Sequence, residues 1–163
     1  MTEIDKNIFV GGIEDYMECM DDKDFVFVQA AKLPFHKSAV GYTTNALEKD
    51  HPEYYVAVRA NGIALNMVDS DYASMFSVYL FDAALNYIDI KNREGKKILI
   101  HCNEGISRSP SIGLLYLATK GKISNKDYMS AKADFDKIYT TYYPNRGVRD
   151  FLHVAWHRFI HVL

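Results

Sequence analysis

The sequence predicts an α/β fold: a single domain over residues 1–163, with a central, mostly parallel sheet of four to five strands flanked by helices. Two observations lead to this prediction. Apolar runs of strand length alternate with longer segments of helical periodicity, which is the order that parallel sheets produce. The strand-length runs are also continuously apolar, which indicates strands covered by helices on both faces.

Strand candidates occur at five places along the chain. They are residues 8–10, followed by the Gly11-Gly12 turn, then 25–28, 54–58, 63–68 and 97–101. The candidate at 54–58 is the weakest, because residues 32–59 otherwise show no clear period. We expect residues 32–59 to form a long surface excursion with His36 and Lys37 exposed, and such loops often carry function.

Helices are predicted between and after these strands. Apolar spacing favours helices over residues 73–93, 109–118 and 148–159, with Pro110 in the first turn of the second and Gly121 after its end. Asp71 or Ser74 is a candidate N-cap for the first of these helices. A capping box at Ser124–Asp127 predicts a further helix over the apolar positions up to Ile138.

Composition and charge limit the function. The chain has a net charge of −2, with 48% hydrophobic and 25% charged residues, which is typical of a soluble globular protein. It has no basic stripe for nucleic acid, no apolar run that spans a bilayer and no secretory signal at its polar start. Two cysteines cannot build a disulfide framework or a four-cysteine zinc site. We therefore expect a cytoplasmic monomer without membrane or nucleic-acid partners.

A chemically suggestive segment follows the strand at 97–101. Cys102 stands where this buried strand ends and the 109–118 helix begins, at the sheet edge where ligands bind in parallel sheets. The backbone N–H groups of a short loop before a helix form a concave anion site, and its positive field favours a cysteine thiolate. Gly105 permits unusual backbone torsions, and Arg108 can hold two phosphate oxygens with its planar fork. Ser109 can donate its hydroxyl to the sulfur.

Breaking a phosphate ester also needs an acid for the leaving oxygen. Asp69 and Asp71 both follow the 63–68 strand, at the same sheet edge as Cys102. Asp69 is preferred because it comes directly after the apolar run. Asp71 remains the alternative.

The segment His101-Cys102-Asn103-Glu104-Gly105-Ile106-Ser107-Arg108-Ser109 resembles the signature of the cysteine-dependent protein phosphatases, and specifically of their dual-specificity branch. The stretches at 8–11 and 65–69, and Pro144-Asn145, also resemble family patterns. The resemblance implies the fold of that family. It implies Cys102 as nucleophile, Arg108 as phosphate clamp and Asp69 as acid and then base. It further implies that Ser109 assists the intermediate, that His101 orients the loop, and that no metal or cofactor is needed. The phosphate would be bound by the loop residues Asn103, Glu104, Gly105, Ile106, Ser107 and Arg108.

The predicted function is hydrolysis of phosphotyrosine, and of phosphoserine or phosphothreonine, in proteins through a cysteinyl-phosphate. Glu104 should point outward, and the loop lacks the lysines of phosphoinositide phosphatases, which favours phosphoproteins over inositol lipids. The alternatives are a module that binds phosphorylated partners without turnover, a phosphatase for a non-protein ester, and a sulfur-transfer or arsenate-reducing enzyme. His153, His157 and His161 are spaced along one helix face, which we interpret as a solvated face rather than a metal site.

Overall fold

Six strands form one sheet in the computed structural model, which describes residues 1–160. In chain order they are β1 (Thr2–Asp5), β2 (Ile8–Gly11), β3 (Phe25–Gln29), β4 (Val56–Arg59), β5 (Gly62–Leu65) and β6 (Lys97–His101). Across the sheet the order is β1-β2-β6-β3-β5-β4. The four central strands are parallel, and β1 and β4 pair antiparallel at the two edges. The mostly parallel sheet is confirmed, but it is larger than the four to five strands expected.

The additional strand is β1, which forms a tight hairpin with β2. It is only four residues long and half of it is exposed, so it carries no apolar run that would mark it. Two other boundaries also differ from the prediction. β4 begins at Val56 rather than at residue 54, and β5 ends at Leu65, so the acid candidates follow an irregular segment rather than the strand itself.

Helices cover both faces of the sheet. They are α1 (Ile13–Cys19), α2 (Lys37–Val40), α3 (Val78–Arg93), α4 (Arg108–Thr119), α5 (Tyr128–Ile138) and α6 (Arg146–Phe159). Side chains alternate along a strand, so Ile98 and Ile100 of β6 face the main core with α3 to α6, whereas Leu99 faces α1. The short helix α1 follows the predicted turn Gly11-Gly12 and was not expected.

The helix starts differ from the predicted caps. A single 3-10 turn occupies residues 73–75, so α3 is capped by Ser77, whose Oγ accepts from the Tyr79 N–H at 3.2 Å. Asp71 and Ser74 therefore do not cap it. Asp127, not Ser124, caps α5 by accepting from the Ser130 N–H at 2.7 Å. Gly121 does adopt a positive φ of 68° after α4, as a chain reversal there requires.

The excursion at 32–59 is more ordered than predicted. It begins with an irregular helical turn at Lys32–His36, continues into α2 and ends in β4. His36 is fully buried, with Nε2 2.8 Å from the Glu53 carbonyl and Nδ1 3.1 Å from the Tyr42 hydroxyl. The expectation that His36 lies in an exposed loop is wrong, because its two ring nitrogens are paired within the excursion.

Two findings concern other predicted features. No helix within residues 1–160 is long and apolar enough to cross a bilayer. His153 and His157 are exposed on α6, as a solvated face requires, whereas His161 lies outside the described residues.

Candidate active site

Cys102 directly follows β6, at the carboxyl end of the parallel strands, and is 2% exposed. The chain then forms a loop, residues 102–108, which we call the phosphate loop. Its Gly105 N–H donates to the Cys102 Sγ at 3.2 Å. The loop is thus folded around the sulfur, with at least one amide aimed at it, as the sequence predicts.

Close packing against the turn between β2 and α1 sets the shape of the phosphate loop. Gly105 has a φ of 75°, and a Cβ at this position would lie 2.8 Å from the carbonyl carbon of Gly11. Only glycine meets both requirements. Among the hydrogen bonds of residues 1–160, none uses the N–H groups of residues 103, 104, 106 and 107. These donors are therefore available to the oxygens of a bound anion.

Arg108 is the first residue of α4 and is only 6% exposed. Its Nη1 donates to the Met67 carbonyl at 3.0 Å. Its Nε is buried and has no hydrogen-bond partner within residues 1–160. One corner of the guanidinium is therefore fixed by the backbone, while the edge that includes Nε keeps the paired donors that suit two phosphate oxygens. The anchoring carbonyl of Met67 was not anticipated from the sequence.

Ser109 connects the sulfur to the neighbouring strand. Its hydroxyl donates to the Gly11 carbonyl at 2.9 Å and lies 3.2 Å from Cys102 Sγ. A hydroxyl has one proton and two acceptor lone pairs. With a neutral thiol, the S–H can donate to Ser109 Oγ while that hydroxyl donates to Gly11. With a thiolate, the hydroxyl proton can turn to the sulfur instead, so Ser109 can stabilise a leaving thiolate.

His101 is packed beneath the phosphate loop on the α1 side of the sheet. Its ring stacks on Tyr16 at 4.7 Å and meets the edge of Phe35 at 4.7 Å. Burial lowers the pKa of His101 to about 4, so the imidazole is neutral at neutral pH. Nδ1 lies 3.3 Å from the Cys102 carbonyl, which can only accept, so we assign the ring proton to Nδ1. The residue can therefore fix the loop backbone without adding a charge beside the sulfur.

The two acid candidates differ in their contacts. Both side chains are exposed and lie in the irregular segment of residues 66–72, which we call the acid loop. Asp69 Oδ1 accepts from the Asn145 side-chain amide, and the Asn145 backbone N–H donates to Ser107 Oγ at 2.9 Å. Asp69 is thereby tied to the phosphate loop through one residue. Asp71 contacts the same region through its backbone carbonyl, which is 3.4 Å from Arg146 Nε. This placement favours Asp69, and its role as the acid remains a prediction.

A buried network of hydroxyl groups supports the phosphate loop from the core. Ser111 Oγ donates to the Ser107 carbonyl at 2.7 Å, and the Tyr142 hydroxyl lies 2.8 Å from Ser111 Oγ. The Tyr128 hydroxyl follows at 3.0 Å, and Tyr139 separately donates to the Gly105 carbonyl. Burial raises the pKa of Tyr142 well above its ordinary value, so its hydroxyl keeps its proton. These tyrosines belong to no motif, and sequence reasoning did not find them.

The excursion contributes one wall of the site. Asn103 of the phosphate loop donates its side-chain amide to the Leu33 carbonyl at 3.0 Å. The Lys32 N–H donates to the Met67 carbonyl at 2.8 Å, the same oxygen that anchors Arg108. Glu104 is exposed, as predicted, and its backbone lies against Gly12.

The family model described as "Dual specificity phosphatase, catalytic domain" matches residues 27–137. The chain belongs to the dual-specificity phosphatase family. Among curated proteins, dual specificity protein phosphatase 5 of Rattus norvegicus is 49% identical over 37 residues, which is 23% of this chain and 10% of that protein. The matching part of the chain thus spans about a tenth of the length of this relative.

Solved structures show the same fold at low sequence identity. The crystal structure of DUSP15 matches with a TM-score of 0.65 and 17% identity, over 96% of this chain and 87% of that one. The human tyrosine phosphatase-like serine/threonine/tyrosine-interacting protein matches with a TM-score of 0.61 and 17% identity, over 93% and 92%. The predicted fold class and the predicted family are both confirmed.

Proposed function

We propose that this chain hydrolyses phosphate monoesters in proteins, on tyrosine and also on serine or threonine, through a phosphate transiently bonded to Cys102. One observation carries the proposal. The Cys102 sulfur lies inside a loop whose amides at 103, 104, 106 and 107 have no acceptor within residues 1–160, beside an arginine with an unused, buried Nε. Family membership supports phosphatase chemistry for this arrangement.

In the first step, the Cys102 thiolate attacks phosphorus, a sulfur–phosphorus bond forms and the bond to the ester oxygen breaks. Loop amides and Arg108 stabilise the charge on the three remaining phosphate oxygens, where preorganised donors contribute most. The leaving oxygen takes a proton from Asp69, which Asn145 holds beside the loop. A leaving serine or threonine oxygen needs this proton more than a phenol does.

In the second step, water attacks the phosphorus of the cysteinyl-phosphate. Asp69, now a carboxylate, accepts a proton from the attacking water, and the sulfur–phosphorus bond breaks to release inorganic phosphate. The departing thiolate accepts a hydrogen bond from the Ser109 hydroxyl, which keeps its proton, across the 3.2 Å contact. Every acid–base group in this cycle returns to its starting protonation state.

The substrate class is proposed from the mouth of the site and from the family. Glu104 is exposed at the mouth, which disfavours highly anionic inositol lipids relative to phosphoproteins. We further propose that residues 1–163 form one catalytic domain that acts as a monomer in the cytoplasm. One main core joins α3 to α6 with the sheet, and both cysteines are free, which suits a reducing compartment.

The decisive experiment compares hydrolysis of an aryl phosphate and of phosphopeptides by the native chain and by Cys102→Ser. We expect the variant to lose turnover while it still folds and binds phosphopeptides. Cys19→Ser is the matched control, because Cys19 is also buried but lies on α1, where its thiol donates to the Asp15 carbonyl and its side chain packs with Phe27 and Leu99. Activity that survived Cys102→Ser would refute the mechanism.

Two other outcomes would indicate a different function. A native chain that binds phosphopeptides tightly but releases no phosphate would be a recognition module. Persulfide formation from thiosulfate, in place of phosphate release, would indicate sulfur transfer.

A further inference from the structure

A cavity of about 410 Å³ opens between α5, the start of α6 and the acid loop. Three cationic side chains line it, those of Lys132, Arg146 and Arg149, together with a single acidic one, that of Asp71. None of the three cations takes part in the chemistry proposed above. The cavity is therefore a positively charged feature that the catalytic cycle leaves unused.

The cavity shares a wall with the phosphate loop. The Tyr143 N–H donates to the Ile106 carbonyl at 2.8 Å, and the Asn145 N–H donates to Ser107 Oγ at 2.9 Å. Tyr143 and Asn145 both line the cavity. A peptide whose phosphoresidue lies in the phosphate loop can therefore place a neighbouring residue in this cavity.

The guanidinium groups of both arginines keep most of their donors. Arg146 uses Nε toward the Asp71 carbonyl, and Arg149 uses Nε toward Asp150, both at 3.4 Å. No hydrogen bond within residues 1–160 involves the terminal nitrogens of either residue. Lys132 is less available, because its ammonium pairs with Asp136 at 2.7 Å. The exposed guanidinium groups of Arg146 and Arg149 are therefore both free to bind a carboxylate or a phosphate.

The opposite side of the phosphate loop has the opposite charge. Glu104 is exposed, and its backbone packs against Gly12 in the turn before α1. Glu104 and the two arginines therefore lie on opposite sides of the phosphate loop, because α1 and α6 cover opposite faces of the sheet. An acidic group of the substrate is attracted by the arginines of α6 and repelled by Glu104. The charge around the site is thus asymmetric.

We propose that this cavity, with Arg146 and Arg149, is a second anion subsite that binds an acidic group next to the phosphoresidue of the substrate. The inference rests on the proposed phosphatase function and adds a sequence preference to it. The shared chemistry is a carboxylate or a second phosphate, bound by the arginine forks. The acidic residue must lie on one side of the phosphoresidue only, because Glu104 disfavours it on the other.

The test uses phosphotyrosine peptides that carry either neutral flanks, glutamate on the amino side, glutamate on the carboxyl side, or phosphoserine on either side. The initial rate at which unphosphorylated tyrosine forms in the peptide gives kcat/KM for each peptide, so phosphate released from serine is not counted. We expect the native chain to prefer an acidic flank on one side by about tenfold, the size of a partly exposed charge-assisted contact. Arg146→Gln/Arg149→Gln should abolish this preference and leave aryl phosphate hydrolysis unchanged. Phosphoserine exceeding glutamate would identify phosphate as the better ligand.

The matched control is Lys126→Gln/Arg158→Gln, which removes the same charge from exposed positions outside the cavity. It should keep the preference. A native chain without a one-sided preference, or a preference that survives Arg146→Gln/Arg149→Gln, would overturn the subsite. Peptide binding to Cys102→Ser, measured by fluorescence polarisation, repeats the comparison without turnover. If the native chain does not hydrolyse an aryl phosphate, the proposed function is refuted. The peptide-binding measurements on Cys102→Ser still decide whether the subsite exists.

Discussion

We expect the buried His101, which lies beneath Cys102, to make protein stability depend on pH. His101 is fully buried among aromatic rings, and its pKa is lowered by burial from 6.5 to about 4. In the unfolded chain the imidazole is protonated below about pH 6.5, whereas in the folded chain it stays neutral down to about pH 4. The unfolded state therefore binds more protons in this window, and stability falls as the pH falls.

The size of this effect follows from the shift in pKa. Each unit is worth about 1.4 kcal/mol, so His101 alone removes about 3 kcal/mol of unfolding free energy between pH 6.5 and pH 4. Above pH 6.5 the imidazole is neutral in both states, so none of this unfolding free energy is lost. Since small domains are stable by only about 5–15 kcal/mol, a loss of this size is readily measured.

The assay is urea unfolding at a series of pH values for the native chain and for His101→Phe, which keeps an aromatic ring and removes the titration. The variant should become more stable relative to the native chain, by about 3 kcal/mol, as the pH falls from 7 to 4. His157→Gln, at an exposed position of α6, should follow the native curve. A difference between the native chain and His101→Phe that stayed constant with pH would refute the reasoning.

Three further substitutions test individual groups of the site. Asp69→Asn should slow the hydrolysis of phosphoserine peptides by about 10²–10⁴-fold and flatten the basic limb of the pH–rate profile, because the leaving oxygen loses its proton donor. Asp71→Asn should change neither the rate nor the basic limb. Ser109→Ala should slow breakdown of the intermediate by about 10–100-fold, because a hydrogen bond to the leaving thiolate is lost, and stopped-flow assays of an aryl phosphate should then show a burst. Tyr142→Phe should lower the unfolding free energy by about 1–2 kcal/mol, because the Ser111 hydroxyl loses a hydrogen-bond partner. Urea titration measures this change.

Each of these substitutions has an outcome against it. If only Asp71→Asn flattens the basic limb, the acid is Asp71. A Ser109→Ala variant without a burst would mean that the hydroxyl does not act on the intermediate. Unchanged stability in Tyr142→Phe would show that the buried network does not support the loop.

Features encoded in continuous local patterns were predictable from the sequence. The strand at 97–101 and the helix that begins at Arg108 were predicted almost to the residue, because a buried strand and a buried helix have unbroken apolar runs. The edge strand β1 was missed since an exposed, four-residue strand has no such pattern. The cap of α3 was misplaced because the 3-10 turn at 73–75 delays the helix.

Features that depend on contacts between distant residues had no local signal. His36 is paired with a carbonyl 17 residues away, so nothing near it marks it as buried. Asn145 binds Asp69 across 76 positions, and Tyr142 reaches Ser111 across 31. Pro144-Asn145 resembles a family pattern, but only the fold shows which aspartate the amide contacts.

The covalent intermediate is the central claim, and its direct detection is the most decisive measurement. Asp69→Asn, which lacks the base for the second step, is mixed with an aryl phosphate, quenched in acid and digested for mass spectrometry. We predict a phosphate on the peptide that contains Cys102, and none when Cys102→Ser is added to the same variant. Phosphate release by the native chain with no phosphorylated cysteine in this trap, or with the phosphate on another residue, would contradict the account.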